Sequence, residues 1–273
     1  LAKQYEDYAD KISFPVAVQP KLDGHRCIAV VDVRIWHGPL NDDGTGPIGN
    51  YTAVEVSLWT RTRKQMQMPH IAAALKNLTE SQIDDFDFDV DDEAVAMEAL
   101  GFTHSATDMT QTSTERRYRR VFDGELFNPA YNDRFEELSS HIRKPREGTD
   151  KVVQYHIYDV VSTSCFSERV RKLEHLFPAD SPIKLVETVF VGDAAAIHEN
   201  YTHFRSLGYE GAMVRQLRRP YEHKRSDQLL KMKDFVDGEF KIVRCEEGRG
   251  KLQGHVGAFV CVTANGKEFA AKM

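Results

Sequence analysis

Lys21 is the residue with the most chemistry to offer. It stands in Lys21-Leu22-Asp23-Gly24-His25-Arg26, one residue past the predicted strand Val16 to Gln19. It therefore occupies the end of a predicted strand and precedes a turn at Asp23-Gly24. A lysine amine attacks an electrophilic centre only as the free base, and an ordinary pKa of about 10.4 keeps it charged at neutral pH. Such a nucleophile needs nearby cations and a pocket that sheds water. Lys231 and Lys233 alternate along a second predicted strand, so both project from one face. Glu125 lies on a third predicted strand and Glu210 just before a fourth.

The elements that must position these groups are short and mixed. Strands are predicted at Val16 to Gln19, Cys27 to Val33, Ala53 to Leu58, Val121 to Phe127, Val152 to Val161, Val186 to Val191, Gly211 to Val214 and Leu229 to Met232. Helices are predicted from Pro69 through Leu78, from Phe135 to Ile142, from Ser167 (as N-cap) to Phe177, and from Asp193 (as N-cap) to Leu207, with Gly208 ending the last. His37 to Asn50, rich in Gly, Pro, Asn and Asp, reads as a surface loop. From Gly238 onward the texture becomes short strands with tight glycine turns, the pattern of a small β-barrel beginning. A domain boundary is expected near Lys233 to Asp237.

Composition sets limits on function. The chain has 273 residues, 41% of them hydrophobic, and a net charge of −6, enough for one substantial core and a small second domain. No apolar run approaches the roughly 20 residues that span a bilayer, and the first ten residues lack signal-peptide order, so a cytoplasmic protein is expected. Cys27, Cys165, Cys245 and Cys261 form no CxxC pair, and the eleven histidines form no HxxxH, which argues against a zinc or redox centre. Gly248-Arg249-Gly250-Lys251 lacks the full phosphate-loop pattern and a following helix, and reads as a turn. Charge is unevenly spread: residues 201–273 hold 14 Lys/Arg against 9 Asp/Glu, whereas Glu80 to Glu98 holds nine carboxylates and no base. The basic end suits phosphate contacts. The acidic stretch should be an exposed insertion facing away from any polyanion.

Taken singly, each candidate has a plain structural role: Tyr158 as a core aromatic, Glu125 and Glu210 as solvated strand acids, Lys21 as a hairpin lysine. Their order argues otherwise. KLDGHR fits K-x-D-G-x-R, and it is followed by Arg61-Thr62-Arg63-Lys64 (with Thr60 where the pattern has Ser), Asp123-Gly124-Glu125-Leu126, Tyr158-Asp159, Glu210-Gly211-Ala212-Met213-Val214-Arg215 and Leu230-Lys231-Met232-Lys233. This series resembles the ATP-dependent DNA ligase family within the covalent nucleotidyltransferases, and in compactness its small bacteriophage and viral members.

The resemblance implies an α+β fold: a nucleotidyltransferase (adenylation) domain over residues 1–234, with antiparallel sheets and flanking helices, then an incomplete OB-fold over 235–273. It implies a monomeric enzyme that seals nicks in duplex DNA using ATP and magnesium or manganese. Lys21 would carry AMP, with Asp23, Lys231 and Lys233 as its catalytic partners. Arg26, Arg61, Glu125, Tyr158 and Glu210 would contact the nucleotide, Tyr158 by stacking on adenine. Glu125 and Glu210 would bind metal, with Asp123 as support. Arg26, Arg61, Arg249 and Lys251 would contact DNA. An RNA ligase with the same chemistry, or a non-catalytic nucleic-acid-binding protein retaining the fold, are the alternatives.

Overall fold

In the computed structural model the described residues are 2–37, 50–82, 115–146, 148, 150–174, 176–234 and 238–272. Most of the acidic stretch and of the loop expected between His37 and Asn50 lies outside them. The chain divides into two units, Leu1–Lys233 and Asp234–Met273.

The first unit is built on two sheets. The six-stranded sheet, in the order β5-β4-β3-β6-β7-β8, comprises β3 (His25–His37), β4 (Asn50–Thr60), β5 (Gln65–Met66), β6 (Glu115–Phe127), β7 (Gln154–Val160) and β8 (Ile183–Leu185). The five-stranded sheet, in the order β1-β11-β10-β2-β9, comprises β1 (Ala2–Gln4), β2 (Val16–Lys21), β9 (Val189–Val191), β10 (Gly211–Gln216) and β11 (Ser226–Lys233). All pairings are antiparallel except β1 with β11 and β7 with β8.

Alternation along the strands decides what each face does. On β3, Cys27, Ala29, Val31 and Val33 are buried with Ile71 and Leu75 of α1 (Pro69–Ser81) and Leu138 of α2 (Phe135–Arg143). The opposite face presents Arg26, Ile28 and Val30, registered against Glu125, Asp123 and Val121 of β6. In the five-stranded sheet Val16, Val18, Ala212, Val214, Leu230 and Met232 pack on Ile197 and Phe204 of α4 (Ala194–Ser206). The intervening residues, including Gln19, Lys21, Arg215 and Lys231, project from the other face. Each fully buried Val, Leu or Phe in these layers contributes about 1.5–3 kcal/mol.

Three local expectations need correction. The segment after Lys21 is no hairpin turn: β2 and β3 belong to different sheets, and Leu22 to Gly24 carries the chain from one to the other. Gly24 is required there, because a Cβ would lie 2.3 Å from the Leu126 carbonyl oxygen. Of the expected strand Val186 to Val191 only β9, Val189–Val191, forms; β8 ends just before it and belongs to the other sheet. The third helix, α3 (Phe166–Leu173), is capped by Cys165 rather than Ser167 and stops before Phe177. Glu168 reaches back to accept the Cys165 amide at 3.1 Å, which fixes the start two residues earlier. Asp193 does cap α4, accepting the Ala196 amide at 2.9 Å.

The second unit contains β12 (Lys241–Glu247), β13 (Val256–Val262) and β14 (Glu268–Lys272) as one antiparallel sheet, with no closed barrel among its described residues. Gly248 to His255 connects β12 to β13 through a short 3-10 turn at Gly250–Leu252, the Gly248 amide donating to the His255 carbonyl at 2.9 Å. All four cysteines are free, and among the described residues no helix is long and apolar enough to cross a membrane.

His156 on β7 is buried, and desolvation, with Lys184 nearby, pushes its pKa down to about 4. Its unfolded value is about 6.5, so the stability from keeping it neutral is full above that pH and is lost as pH falls toward 4, on the order of 3 kcal/mol in all. Urea unfolding at pH 6.5 and pH 4 should show His156→Phe losing about 2 to 3 kcal/mol less than the parent over that interval. An equal loss in both proteins would remove His156 as a cause.

Candidate active site

The two bare sheet faces meet in a cleft of about 380 Å³ whose walls include Lys21, Arg26, Glu125, Tyr158, Arg215 and Lys231. Lys21 ends β2 and is registered against Gly211 of β10, which is registered in turn against Lys233 of β11. A side chain at Gly211 would strike the Met232 carbonyl oxygen at 2.1 Å, so glycine lets the strands around Lys21 close up. Glu210, immediately before it, donates its amide to the Lys21 carbonyl at 3.1 Å. Its carboxylate accepts from Lys21 Nζ through Oε2 and from Lys233 Nζ at 3.1 Å through Oε1. Burial alone would raise the Glu210 carboxyl, but its bonds to Lys21 and Lys233 hold it below the usual range. Asp23 stands close to the same group; burial and then Glu210 raise its pKa.

Across the cleft, Asp123 is 4% exposed and collects donors. Arg26 binds it through Nε and Nη2 at 2.9 and 2.7 Å, Tyr158 donates at 2.9 Å, and the Tyr221 hydroxyl donates to Oδ2. Burial acts to raise this carboxyl; the Arg26 charge and the hydrogen bonds from Arg26 and Tyr221 outweigh it and keep it ionised. Glu125, two residues on, has no such set. Burial and repulsion from Asp123 push it up to about 8, with Lys21 and Arg26 opposing.

A β-bulge shapes the third wall. The register of β6 and β7 shifts between Asp123 and Gly124, pairing Asp123 with Asp159 and Gly124 with Ile157. Tyr158 is the extra residue, so Tyr158 and Asp159 both line the cleft instead of alternating away from it. Asp159 accepts from Arg169 of α3 at 2.7 and 3.1 Å and from Arg215 of β10 at 2.8 Å. Arg215 also donates to Gln19 Oε1 at 2.7 Å, and Gln19 donates to the Tyr158 carbonyl at 3.2 Å.

The structure thus gathers Lys21, Arg26, Arg61, Glu125, Tyr158 and Lys231 on one cleft. Asp23, Glu210 and Lys233 are not in its walls and join it through Lys21. Arg61 is exposed in the Thr60 to Lys64 turn between β4 and β5, where Thr60 Oγ1 accepts the Lys64 amide at 3.0 Å. A threonine hydroxyl therefore holds this turn where the family pattern has serine. Arg249 and Lys251 are exposed in the β12 to β13 connection of the second unit. Sequence reasoning did not single out Gln19, Arg169, Arg215 or Tyr221. Arg215 closes the Glu210 to Arg215 motif, which was the one signal available for it; nothing in the chain pattern marks the other three.

A divalent ion would have to draw on few protein ligands. Among the described residues no cluster of three or more His, Cys, Asp or Glu could hold one. Glu125 and Glu210 nevertheless fit magnesium, which commonly takes one or two carboxylates together with waters and substrate phosphate. The half-buried Glu125 carboxyl, raised by desolvation and by Asp123, is a group that a cation would stabilise as the anion.

Two solved DNA ligases share this architecture. A Lig E DNA ligase superposes with a TM-score of 0.62 at 22% identity, covering 100% of this chain and 82% of that one. A Chlorella virus DNA ligase-adenylate superposes with a TM-score of 0.52 at 17% identity, covering 100% and 80%. At these identities the likeness shows the fold, a nucleotidyltransferase domain followed by OB-fold strands. A family model described as ATP dependent DNA ligase domain matches residues 50–233, and the chain belongs to that family. A DNA ligase of Haemophilus influenzae is 31% identical over 151 residues, 54% of this chain and 55% of the relative. One from Methanocaldococcus jannaschii is 25% identical over 210 residues, 71% of this chain and 34% of the relative. The chain spans about half the length, or less, of these curated relatives.

The Asp159 cluster is the testable structural core of the site, with side-chain exposures of 1% for Asp159, 4% for Arg169 and 9% for Arg215. Removing one member of a buried ion pair strands the others and costs roughly 3–5 kcal/mol. Asp159→Asn should lose that much in urea unfolding; a change below about 0.5 kcal/mol, the range of ordinary surface substitutions, would show that the cluster does not hold the sheets.

Proposed function

We propose that this chain is the catalytic core of an ATP-dependent DNA ligase that seals 3′-hydroxyl/5′-phosphate nicks in duplex DNA through a lysyl-AMP intermediate. The observation that carries the reading is Lys21 at a strand end, fixed by Glu210 and opening into a cleft that also holds Lys231, Glu125 and Tyr158. Family membership supports both ATP and DNA as substrates.

In the first step the free amine of Lys21 attacks the α-phosphorus of ATP. A P–N bond forms, the bond to pyrophosphate breaks, and the amine proton is released. Lys231 faces the same cleft, where a cation offsets charge developing on the α-phosphate oxygens. Lys233 and Glu210 hold the Lys21 side chain in place. In the second step a 5′-phosphate oxygen attacks the AMP phosphorus, the P–N bond breaks and Lys21 recovers a proton. In the third the 3′-hydroxyl attacks the activated 5′-phosphate, joins the strands and expels AMP. Bound magnesium, held by Glu125 and Glu210 with substrate phosphate, would supply further neutralisation of phosphate charge.

Tyr158 is assigned to the adenine. Its ring lines the cleft with its hydroxyl anchored on Asp123, which leaves ring surface as its contribution to the pocket. Arg215 carries its guanidinium 5.2 Å from that ring centroid, so the tyrosine is braced from the protein side. Arg26 and Arg61 are assigned to the nucleotide and the DNA phosphates, and Arg249 and Lys251 to the DNA backbone. We further assign a soluble, cytoplasmic, monomeric enzyme.

The direct test is sealing of a labelled duplex nick with ATP and magnesium. The parent chain should join a DNA nick, Lys21→Ala should not, and Lys231→Ala should slow the formation of protein-bound AMP by about a hundredfold, the scale of removing one transition-state charge contact. A Lys21→Ala protein that seals as well as the parent would end the proposal.

A further inference from the structure

Lys231 is held between two strands: Met213 of β10 is registered against it on one side and Gln4 of β1 on the other. β1 has three residues, and its grip on β11 is concentrated at this lysine. Ala2 is registered against Ser226, but Lys3 and Gln4 skip to Leu230 and Lys231, so Asp227, Gln228 and Leu229 have no register partner on β1. The amide of Tyr5, next in the chain, donates to the Lys231 carbonyl at 3.0 Å. Without β1 that carbonyl would lie on a free sheet edge.

The short strand is anchored from the side away from the cleft. The Tyr5 ring is 5% exposed in the core of the five-stranded sheet and meets His198 of α4 edge-on, with 5.8 Å between centroids. The Tyr5 carbonyl accepts the Tyr8 amide at 3.0 Å, and the Lys3 ammonium lies 4.2 Å from the Tyr8 ring centroid. With Tyr5 in the core, alternation turns Ala2 and Gln4 toward the cleft, whose wall includes Ala2. Gln4, registered against Lys231, therefore stands beside it on the same face. Its Oε1 is buried without a hydrogen-bond partner, a costly state for an acceptor. The neighbouring lysine has three N–H donors, of which one phosphate oxygen would take one.

We infer that β1 positions Lys231 for nucleotide transfer: the Tyr5 amide fixes its backbone, and Gln4 Oε1 receives one ammonium N–H when Lys231 turns to the α-phosphate. A misplacement of about 1 Å can cost a hundredfold in rate, so a cation on an untethered edge would lose much of its effect. Gln4 and Tyr5 are thus positioning residues that act through Lys231. The inference rests on the lysyl-AMP reading and adds to it, because it gives a share of the first step to a segment outside every motif that marks the site.

The test measures AMP adduct formation by the full chain in a single turnover at saturating ATP with magnesium. In one variant the Tyr5 amide is replaced by an ester, introduced as the α-hydroxy acid, which removes the N–H and keeps the ring. In a second, Gln4→Leu removes the amide oxygen at similar volume. Each should slow adduct formation about threefold to tenfold, the scale of one hydrogen bond. In a Lys231→Ala background the same changes should cost less than twofold, because the group they position is gone. A strand that merely supported the fold would slow both backgrounds by the same factor, and urea midpoints recorded alongside report any loss of stability separately.

Equal factors in the parent and Lys231→Ala proteins, or no slowing in the parent, would overturn the positioning role of the contact changed while leaving lysyl-AMP formation intact. A parent chain that forms no AMP adduct would instead overturn the lysyl-AMP reading and take the role of β1 with it.

Discussion

The buried ion pair between Asp159 and Arg215 is the constraint on which the rest of the first unit depends. Asp159 belongs to the six-stranded sheet and Arg215 to the five-stranded one, so their 2.8 Å contact fixes how the two sheets meet. A charge this deep is tolerable only when every lone pair is used. Arg169 satisfies the other carboxylate oxygen, while Arg215 also engages Gln19, two residues before Lys21 on β2. The position of the proposed nucleophile is therefore set by a chain of hydrogen bonds that begins on the opposite wall of the cleft.

The two aspartates on that wall divide the electrostatic work. Asp159 ties the sheets together, and Asp123 organises Arg26, Tyr158 and Tyr221 around itself. Glu125 is left with a raised pKa and Glu210 with a lowered one, from contrasting surroundings: burial beside Asp123 in the first case, two lysines in the second. Two carboxylates of one type thus stand near Lys21 with pKa values moved in opposite directions, an arrangement that suits the proposed binding of phosphate and metal.

Much of this was legible in the chain because strand alternation is a local property. Lys231 and Lys233 could be placed on one face from their spacing, and Lys21 at a strand end from the apolar run before it. The structure shows both arrangements. The Glu210 clamp was not legible, since it depends on β10 lying between β2 and β11. Nor were Gln19 and Arg215, 196 residues apart, whose value lies wholly in tertiary pairing. The bulge at Tyr158 broke the alternation that would have sent Asp159 away from the cleft. The sheet switches after Lys21 and Leu185 were also hidden, because a crossing strand and a hairpin carry similar turn residues.

The central claim is that Lys21, and no other lysine of this cleft, carries the nucleotide. Lys231 lines the same cleft and Lys233 shares Glu210 with Lys21, so the choice among them is a real one. Incubation with ATP and magnesium, followed by peptide mass spectrometry with fragmentation to the modified residue, decides it. The account predicts the mass of one AMP on the peptide containing Lys21 and on no other. AMP found on Lys231 or Lys233, or no adduct on any lysine, would contradict it.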